Sequence, residues 1–272
     1  MVGGGFACIE PGGGDAAAIA DALADSNANA DDDGDGIKNS DDNCAAIANA
    51  TQLNEDGDRF GDACDPCPPV ADPIAIIDDD GDGVSGSCDP FPLLPGDRIA
   101  LFESFGGAAL PAGWIALGNW SVVNGSAVVI SADNAVSYLT IEQPPTTRLA
   151  VSAQLTVDQL FGNGTRAVGP AQMYQPSPSR SIVCELIRNG DGPDLAIVDT
   201  GGGPTLDLAD STFDTGTNVT MVNRRDGSAY TCDDGAVALT GSSTYTTVKP
   251  AVGVRTNSTS AHVAWVLVVS ST

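Results

Sequence analysis

Between residues 31 and 89 the chain repeats one kind of loop three times: DDDGDGIKNSDDNC from Asp31, NEDGDRFGDACD from Asn54 and DDDGDGVSGSCD from Asp78. Carboxylates at alternate positions around glycine cannot form an apolar core, because an unpaired charge removed from water carries a large desolvation cost. Such a stretch either stays solvated and self-repelling or gathers around cations. The charge is concentrated there. Residues 1 to 97 hold 22 Asp and Glu against Lys38 and Arg59, a net -20, and residues 98 to 272 hold 14 acidic and nine basic residues, a net -5. The break places a domain boundary near Asp97, with a Gly/Ala-rich tail over 1–30, the loop segment over 31–97 and a third region over 98–272.

Spacing separates the two readings of the acidic stretch. A hard cation such as Ca²⁺ takes six to eight oxygens, and a 12-residue loop supplies them from side chains at positions 1, 3, 5, 9 and 12 and from the carbonyl at 7, with glycine at 6 for the turn. In the first repeat these positions are Asp31, Asp33, Asp35, Asn39 and Asp42, with the carbonyl of Ile37 and with Gly36 at the turn. The second offers Asn54, Asp56, Asp58, Asp62 and Asp65 with the carbonyl of Phe60, but Arg59 replaces the turn glycine. The third has Asp78, Asp80, Asp82 and Asp89, the carbonyl of Val84, Gly83 at the turn and Gly86 at position 9, where water stands in. Three such loops within sixty residues point to calcium as the bound cofactor rather than to an acidic linker. With almost nothing apolar to bury, metal and disulfides take the place of a core, and metal binding becomes folding free energy.

The loops lack helical flanks and end instead in Asp-Asn-Cys or Cys-Asp. DDDGDGIKNSDDNC, a spacer with Asn49 and Gln52, then NEDGDRFGDACD resembles the thrombospondin type 3 repeat, over about residues 29 to 90. Ala45 departs from that pattern, which has proline there. The resemblance implies a secreted or surface protein whose segment wraps a line of calcium ions. By analogy it implies disulfides Cys44–Cys64 and Cys67–Cys88. Cys184 and Cys232 lie on strand-like stretches and suit a staple of the third region, and Cys8 is open to three readings: a free thiol, a partner that changes the pairings above, or a bond to another subunit. Seven cysteines with a single histidine, His262, favour disulfides in an oxidising compartment over zinc. The expected location is extracellular or on the cell surface. The start, MVGGGFAC, lacks the basic end and apolar stretch of a signal peptide, so export expects a leader that is not in this sequence. No apolar run is long enough for a membrane span. Nucleic acid is excluded as a partner, since phosphate binding needs a basic surface. In the tail, Asp15 to Ala24 suits a short helix.

After Asp97 the texture changes to short runs such as SAVVISA, RLAVSAQLTV, SIVCELI, DLAIVD, NVTMVN and HVAWVLVV, separated by Gly, Asn, Asp and Pro. This spacing predicts the strands of an all-β sandwich or barrel with no helix, making the chain mainly β. LFESFGGAALPAGWIALGNWSVVNGSAVV and AVGVRTNSTSAHVAWVLVV resemble the opening and closing strands of the concanavalin-like jelly roll of laminin-G type, and the resemblance implies an antiparallel β-sandwich. Some members of that class cleave glycans with a Glu-x-Asp-x-x-Glu strand, which is missing here. Glu103, Glu142 and Glu185 stand apart, whereas a glycosidase needs two carboxylates at one bond, so no enzymatic activity is expected. His262 reads as a packed or surface strand residue, and Trp114, Trp120 and Trp265 as core or rim residues. Asn49, Asn119, Asn124, Asn163, Asn218 and Asn257 begin glycosylation sequons. The expected function is a calcium-binding structural or adhesive protein, a subunit of a surface fibre that associates with itself or with other surface proteins. The alternative is a lectin that binds glycans on the jelly roll.

Overall fold

A computed structural model describes residues 29–71, 77–189, 192–203 and 205–271. The tail helix expected over Asp15 to Ala24, and Cys8, lie outside these. The chain divides into two compact units, Met1–Gly86 and Ser87–Thr272.

Among the described residues, the first unit contains turns and bends but no strand or α-helix. Its order comes from side chains bonded to main chain and from the disulfide Cys44–Cys64. Cys67 and Cys88 are also disulfide-bonded. Its buried residues include Cys44, Ala45, Phe60, Cys67 and Val84, too few for an ordinary core.

The second unit is an antiparallel β-sandwich of jelly-roll type, built from two sheets. Its strands are numbered in chain order. One sheet runs β13 (Ala238–Ser242), β12 (Ala229–Asp233), β11 (Asn218–Asp226), β6 (Arg148–Leu160), β15 (Thr259–Ser271), β4 (Ser126–Val129) and β3 (Trp120–Val123). β1 (Asp97–Glu103) joins this sheet by pairing with β15 beyond the stretch that pairs with β4. The other sheet runs β10 (Thr205–Asp210), β9 (Gly192–Asp199), β8 (Ser179–Asn189), β7 (Arg166–Pro176), β14 (Ala251–Asn257), β5 (Val136–Glu142) and β2 (Ile115–Leu117). The one helical element described is a 3-10 turn, Gly86–Cys88.

Alternation along the strands makes the core, because successive side chains point to opposite faces. Leu149, Val151, Ala153, Leu155 and Val157 of β6 meet Ile182, Cys184 and Leu186 of β8 and Val252 and Val254 of β14 between the sheets. The disulfide Cys184–Cys232 ties β8 to β12, one strand from each sheet. Asn223 adds a polar tie, its Nδ2 donating to the carbonyls of Pro170 and Ile182. The tight β3–β4 connection is Asn124-Gly125, both at positive φ, the pair that a two-residue hairpin of matching twist prefers.

The opposite face of the second sheet is also buried. Tyr138, Ala171, Tyr174, Val183 and Ala251 form a small cluster, with the two tyrosine rings stacked 4.2 Å apart. Beside them Arg255 and Glu185 form a buried ion pair at 2.5 Å. Glu185, isolated in sequence, is therefore a structural partner.

Candidate functional site

Each aspartate loop is folded by its own carboxylates. In the first, the Gly34 and Gly36 N–H groups donate to Asp31, that of Asp35 to Asp33, and that of Ile37 to Asp35, over 2.7 to 3.1 Å. The third repeats the pattern, with Gly81 and Gly83 donating to Asp78 and Val84 to Asp82. In the second, Gly57 donates to Asn54, Asp58 to Asp56 and Phe60 to Asp58. Aspartate and asparagine readily close such local turns. At position 6, Gly36 and Gly83 have φ of 97° and 94°, a region hostile to residues with a Cβ. Arg59 is not among the residues at positive φ. The second loop closes with a different turn there, and the guanidinium of Arg59 lies over the Phe60 ring at 4.3 Å.

These turns aim carboxylates at common points. One oxygen from each of Asp31, Asp33 and Asp35 lies within 4.8 Å of the other two, and the same holds for Asp56, Asp58 and Asp65 and for Asp78, Asp80 and Asp82. The second group differs because position 1 is Asn54, and Asp65 from position 12 completes the trio. Asp42, Asp62 and Asp89, read from spacing as ligands, stand outside these groups. Asp42 still acts on the first: its charge bears on Asp33, and Gln52 Nε2 donates to its Oδ1 at 2.8 Å. Asp89 belongs to the second unit, where its Oδ1 accepts from the Phe91 N–H. Position 9 braces the loop. Asn39 Oδ1 accepts from the Asp32 N–H and Asp62 Oδ1 from the Glu55 N–H, both groups at position 2. The side chains of Phe60 and Val84 are buried and that of Ile37 is half-buried, which fixes the main chain whose carbonyls were read as ligands.

The electrostatics are those of gathered like charges. Burial raises the Asp33 carboxyl above its ordinary value. A main-chain hydrogen bond from Asp35 lowers it, and the charges of Asp35, Asp42 and Asp31 raise it again. Asp33 Oδ2 and Asp42 Oδ2 are buried and accept no hydrogen bond. An all-oxygen, anionic donor set with buried oxygens lacking donors fits a hard divalent cation; nitrogen or sulfur ligands for a softer metal are missing from these groups.

The sandwich carries two clefts that sequence reasoning missed. One, of about 490 Å³, is lined by Thr146, Thr147, Met173, Arg225, Ser228 and Tyr245, among others. The second, of about 700 Å³, shares Pro145, Thr146 and Thr147 with it and adds Arg98, Pro144 and Ser270. No Asp or Glu is among the residues lining either. Arg225 is 7% exposed. Its Nη1 and Nη2 donate to the carbonyls of Thr147 and Thr146. Burial holds its pKa below the ordinary arginine value, only partly offset by Tyr230 and Asp226. Tyr245 is backed by Arg180 over its ring at 4.1 Å, and Arg180 is held by Asp199. The alternation Val219, Met221, Asn223, Arg225 along β11 was the available signal, since it continues the inward-facing positions.

The three tryptophans pack rather than form an open platform. Trp265 lies against Phe102 and Trp114 against Phe105, and Trp120 packs on the core, its Nε1 donating to the Leu117 carbonyl. His262 is half-exposed on β15, with Nδ1 2.6 Å from Asp158 Oδ2.

No protein family matches the chain by sequence, and no curated protein does. Solved structures similar to it include the Emp47p carbohydrate recognition domain, at 12% identity and a TM-score of 0.47, covering 62% of this chain and 94% of that one. Another is the carbohydrate-binding module CBM66 from Bacillus subtilis, at 11% identity and TM-score 0.44, covering 56% and 91%. A third is the GH43 protein BlXynB from Bacillus licheniformis, at 14% identity and TM-score 0.48, covering 62% of this chain and 39% of that one. The likeness is one of fold.

Proposed function

We propose that the protein is an extracellular, non-enzymatic binding protein in which calcium organises the loop segment and the lectin-like sandwich recognises glycans. The calcium part is supported above all by the convergence of Asp31, Asp33 and Asp35, of Asp56, Asp58 and Asp65, and of Asp78, Asp80 and Asp82. Like charges held this close repel unless a cation lies among them. These trios would hold the ions, together with the carbonyls of Ile37, Phe60 and Val84. The resemblance to thrombospondin type 3 repeats belongs to this reading. Calorimetric titration of metal-stripped full-length protein with calcium tests it; absence of heat and of any gain in hydrogen-exchange protection over residues 31–71 refutes it.

The glycan part rests on the hydroxyl-rich clefts, whose volumes are of the size that takes small ligands. A glycan array probed with the full chain in calcium tests it, and silence across the array removes it. The fibre reading, in which copies self-associate through the loop segment or tail, predicts calcium-dependent assembly. Monodisperse monomer with and without calcium in sedimentation experiments would reject it.

A further inference from the structure

Arg225 is a buried guanidinium on which the charge of Asp226 acts without forming an ion pair. Of the ion pairs among the described residues, Arg180 has Asp199 and Arg255 has Glu185, while Arg225 is in none. Two main-chain carbonyls hold its Nη atoms, and its Nε is buried without an acceptor. Carbonyl dipoles do not neutralise a cation, and a charge removed from water is costly unless it is paired. Arg225 also lines a cleft to which no carboxylate contributes, and the neighbouring cleft, which shares Pro145, Thr146 and Thr147 with it, adds exposed Arg98. The rest of the lining is of two kinds. Hydroxyls come from Thr146, Thr147 and Ser228, and apolar faces come from Met173 and Tyr245. A sugar presents the same two kinds of surface, hydroxyls at its edges and C–H groups on its faces. A cationic lining residue favours an anionic sugar over a neutral one.

We propose that the Arg225 cleft binds a carboxylated saccharide, of the uronic or sialic acid type, with the ligand carboxylate facing the guanidinium and the ring lying against Tyr245 and Met173. This rests on the glycan reading above and narrows it. Recognition of a carboxylate by arginine is charge-assisted and directional, so the acid and its neutral counterpart should differ sharply.

The test uses full-length, calcium-loaded protein labelled with ¹³C at the methionine methyls, titrated with methyl glucuronide, methyl glucoside and acetate. Met173 lines the cleft, and Met221 is buried in the core as an internal control. The glucuronide is expected to shift the Met173 signal with an affinity at least tenfold above that of the glucoside and of acetate, leaving Met221 in place. Arg225→Gln should abolish the shift while the Met221 signal reports an intact core. If that variant fails to fold, Thr246→Trp, at an exposed lining position, should block the cleft and give the same loss. Equal affinity for glucuronide and glucoside overturns the acidic preference and leaves glycan binding standing. Acetate as strong as glucuronide overturns the saccharide class. Array glycans that bind without moving Met173 overturn the location, whereas a silent array removes the glycan reading itself.

Discussion

Asp65→Asn separates a metal loop from an acidic linker by the sign of its effect. Asp65 is 5% exposed, its Oδ1 accepts from the Cys67 N–H, and one of its oxygens lies within 4.8 Å of oxygens of Asp56 and Asp58. Asparagine keeps an oxygen for the Cys67 N–H and removes the charge. At 4.8 Å two unit charges repel by about 0.9 kcal/mol even in the dielectric of water, and by more where one is buried. Three charges make three repulsive pairs, and the substitution removes two, so the metal-free loop gains at least about 1.7 kcal/mol before salt screening. That corresponds to roughly fifteen-fold slower hydrogen exchange over residues 53–67 in chelator, at tenfold per 1.4 kcal/mol. In calcium the sign reverses. The cation loses a charged ligand, and affinity at one site falls at least tenfold in calorimetric titration. The same substitution therefore stabilises the stripped protein and weakens the loaded one. If exchange slows in both conditions and the calcium heats are unchanged, the carboxylates repel without gripping an ion, and the reading is wrong.

Three further outcomes follow from the sandwich. Glu185→Gln leaves Arg255 buried without its counter-charge and should lower stability by about 3–5 kcal/mol in urea unfolding, whereas the apolar double variant Glu185→Leu/Arg255→Met should recover most of it; equal loss in both would show that packing, not charge, is at stake. Burial alone would raise the Asp199 carboxyl, but its hydrogen bonds from Arg180 and the Gly201 N–H and the charge of Arg180 outweigh that and hold it below its ordinary value. A depressed folded-state value gives stability that is full above the unfolded value of about 3.9 and is lost as pH falls through the folded one. The melting temperature of the wild type should therefore drop more steeply below pH 4 than that of Asp199→Asn, and parallel curves would contradict this. Gly169→Ala places a Cβ 1.9 Å from the Cys184 carbonyl and 2.8 Å from the Glu185 Cα. Neither backbone atom can step aside, so the variant should fail to reach wild-type stability in thermal unfolding by several kcal/mol, and a neutral effect would mean that β7 and β8 lie further apart than described.

The sandwich was legible because its signal is local. The apolar runs RLAVSAQLTV and SIVCELI predict strands, and the structure has them as β6 and β8, with alternate residues of β6 facing the core and β8 buried on both faces from Ser181 to Ile187. The loops were legible in part. Spacing predicted that Asp31, Asp33 and Asp35 meet, and likewise Asp78, Asp80 and Asp82. It did not predict that Asp65 would replace the neutral Asn54 in the second trio, nor that Asn39 and Asp62 would each give an oxygen to a position-2 N–H. A linear template records which residue types occur, but not which of their oxygens the folded loop turns toward the shared point. The clefts were not legible at all. Their walls come from segments far apart in sequence, residues 145–147 and 243–247 with Met173 and Arg225, brought together only by strand order.

The arrangement of the few cations ties these observations together. Between residues 98 and 272 the chain has eight arginines and one lysine. Two of the arginines, Arg180 and Arg255, meet carboxylates. Four more brace the main chain: Arg148 at the Leu94 and Pro95 carbonyls, Arg166 at those of Gly162 and Arg188, Arg188 at that of Phe213, and Arg225 at those of Thr146 and Thr147. Arginine suits this work because its planar fork makes several directed bonds at once. Of those four, only Arg225 is buried, and it lines one of the two clefts described above. The loop segment has the opposite imbalance, with anions gathered and two basic residues against 22 acidic ones up to Asp97. Each imbalance can be relieved from outside the chain, by a divalent cation in the loops and by an anionic ligand on the sandwich. The two should be separable by chelation: removing calcium should open the loops while glucuronide still shifts Met173, because the strands that place Arg225 are held by an apolar core and a disulfide rather than by metal.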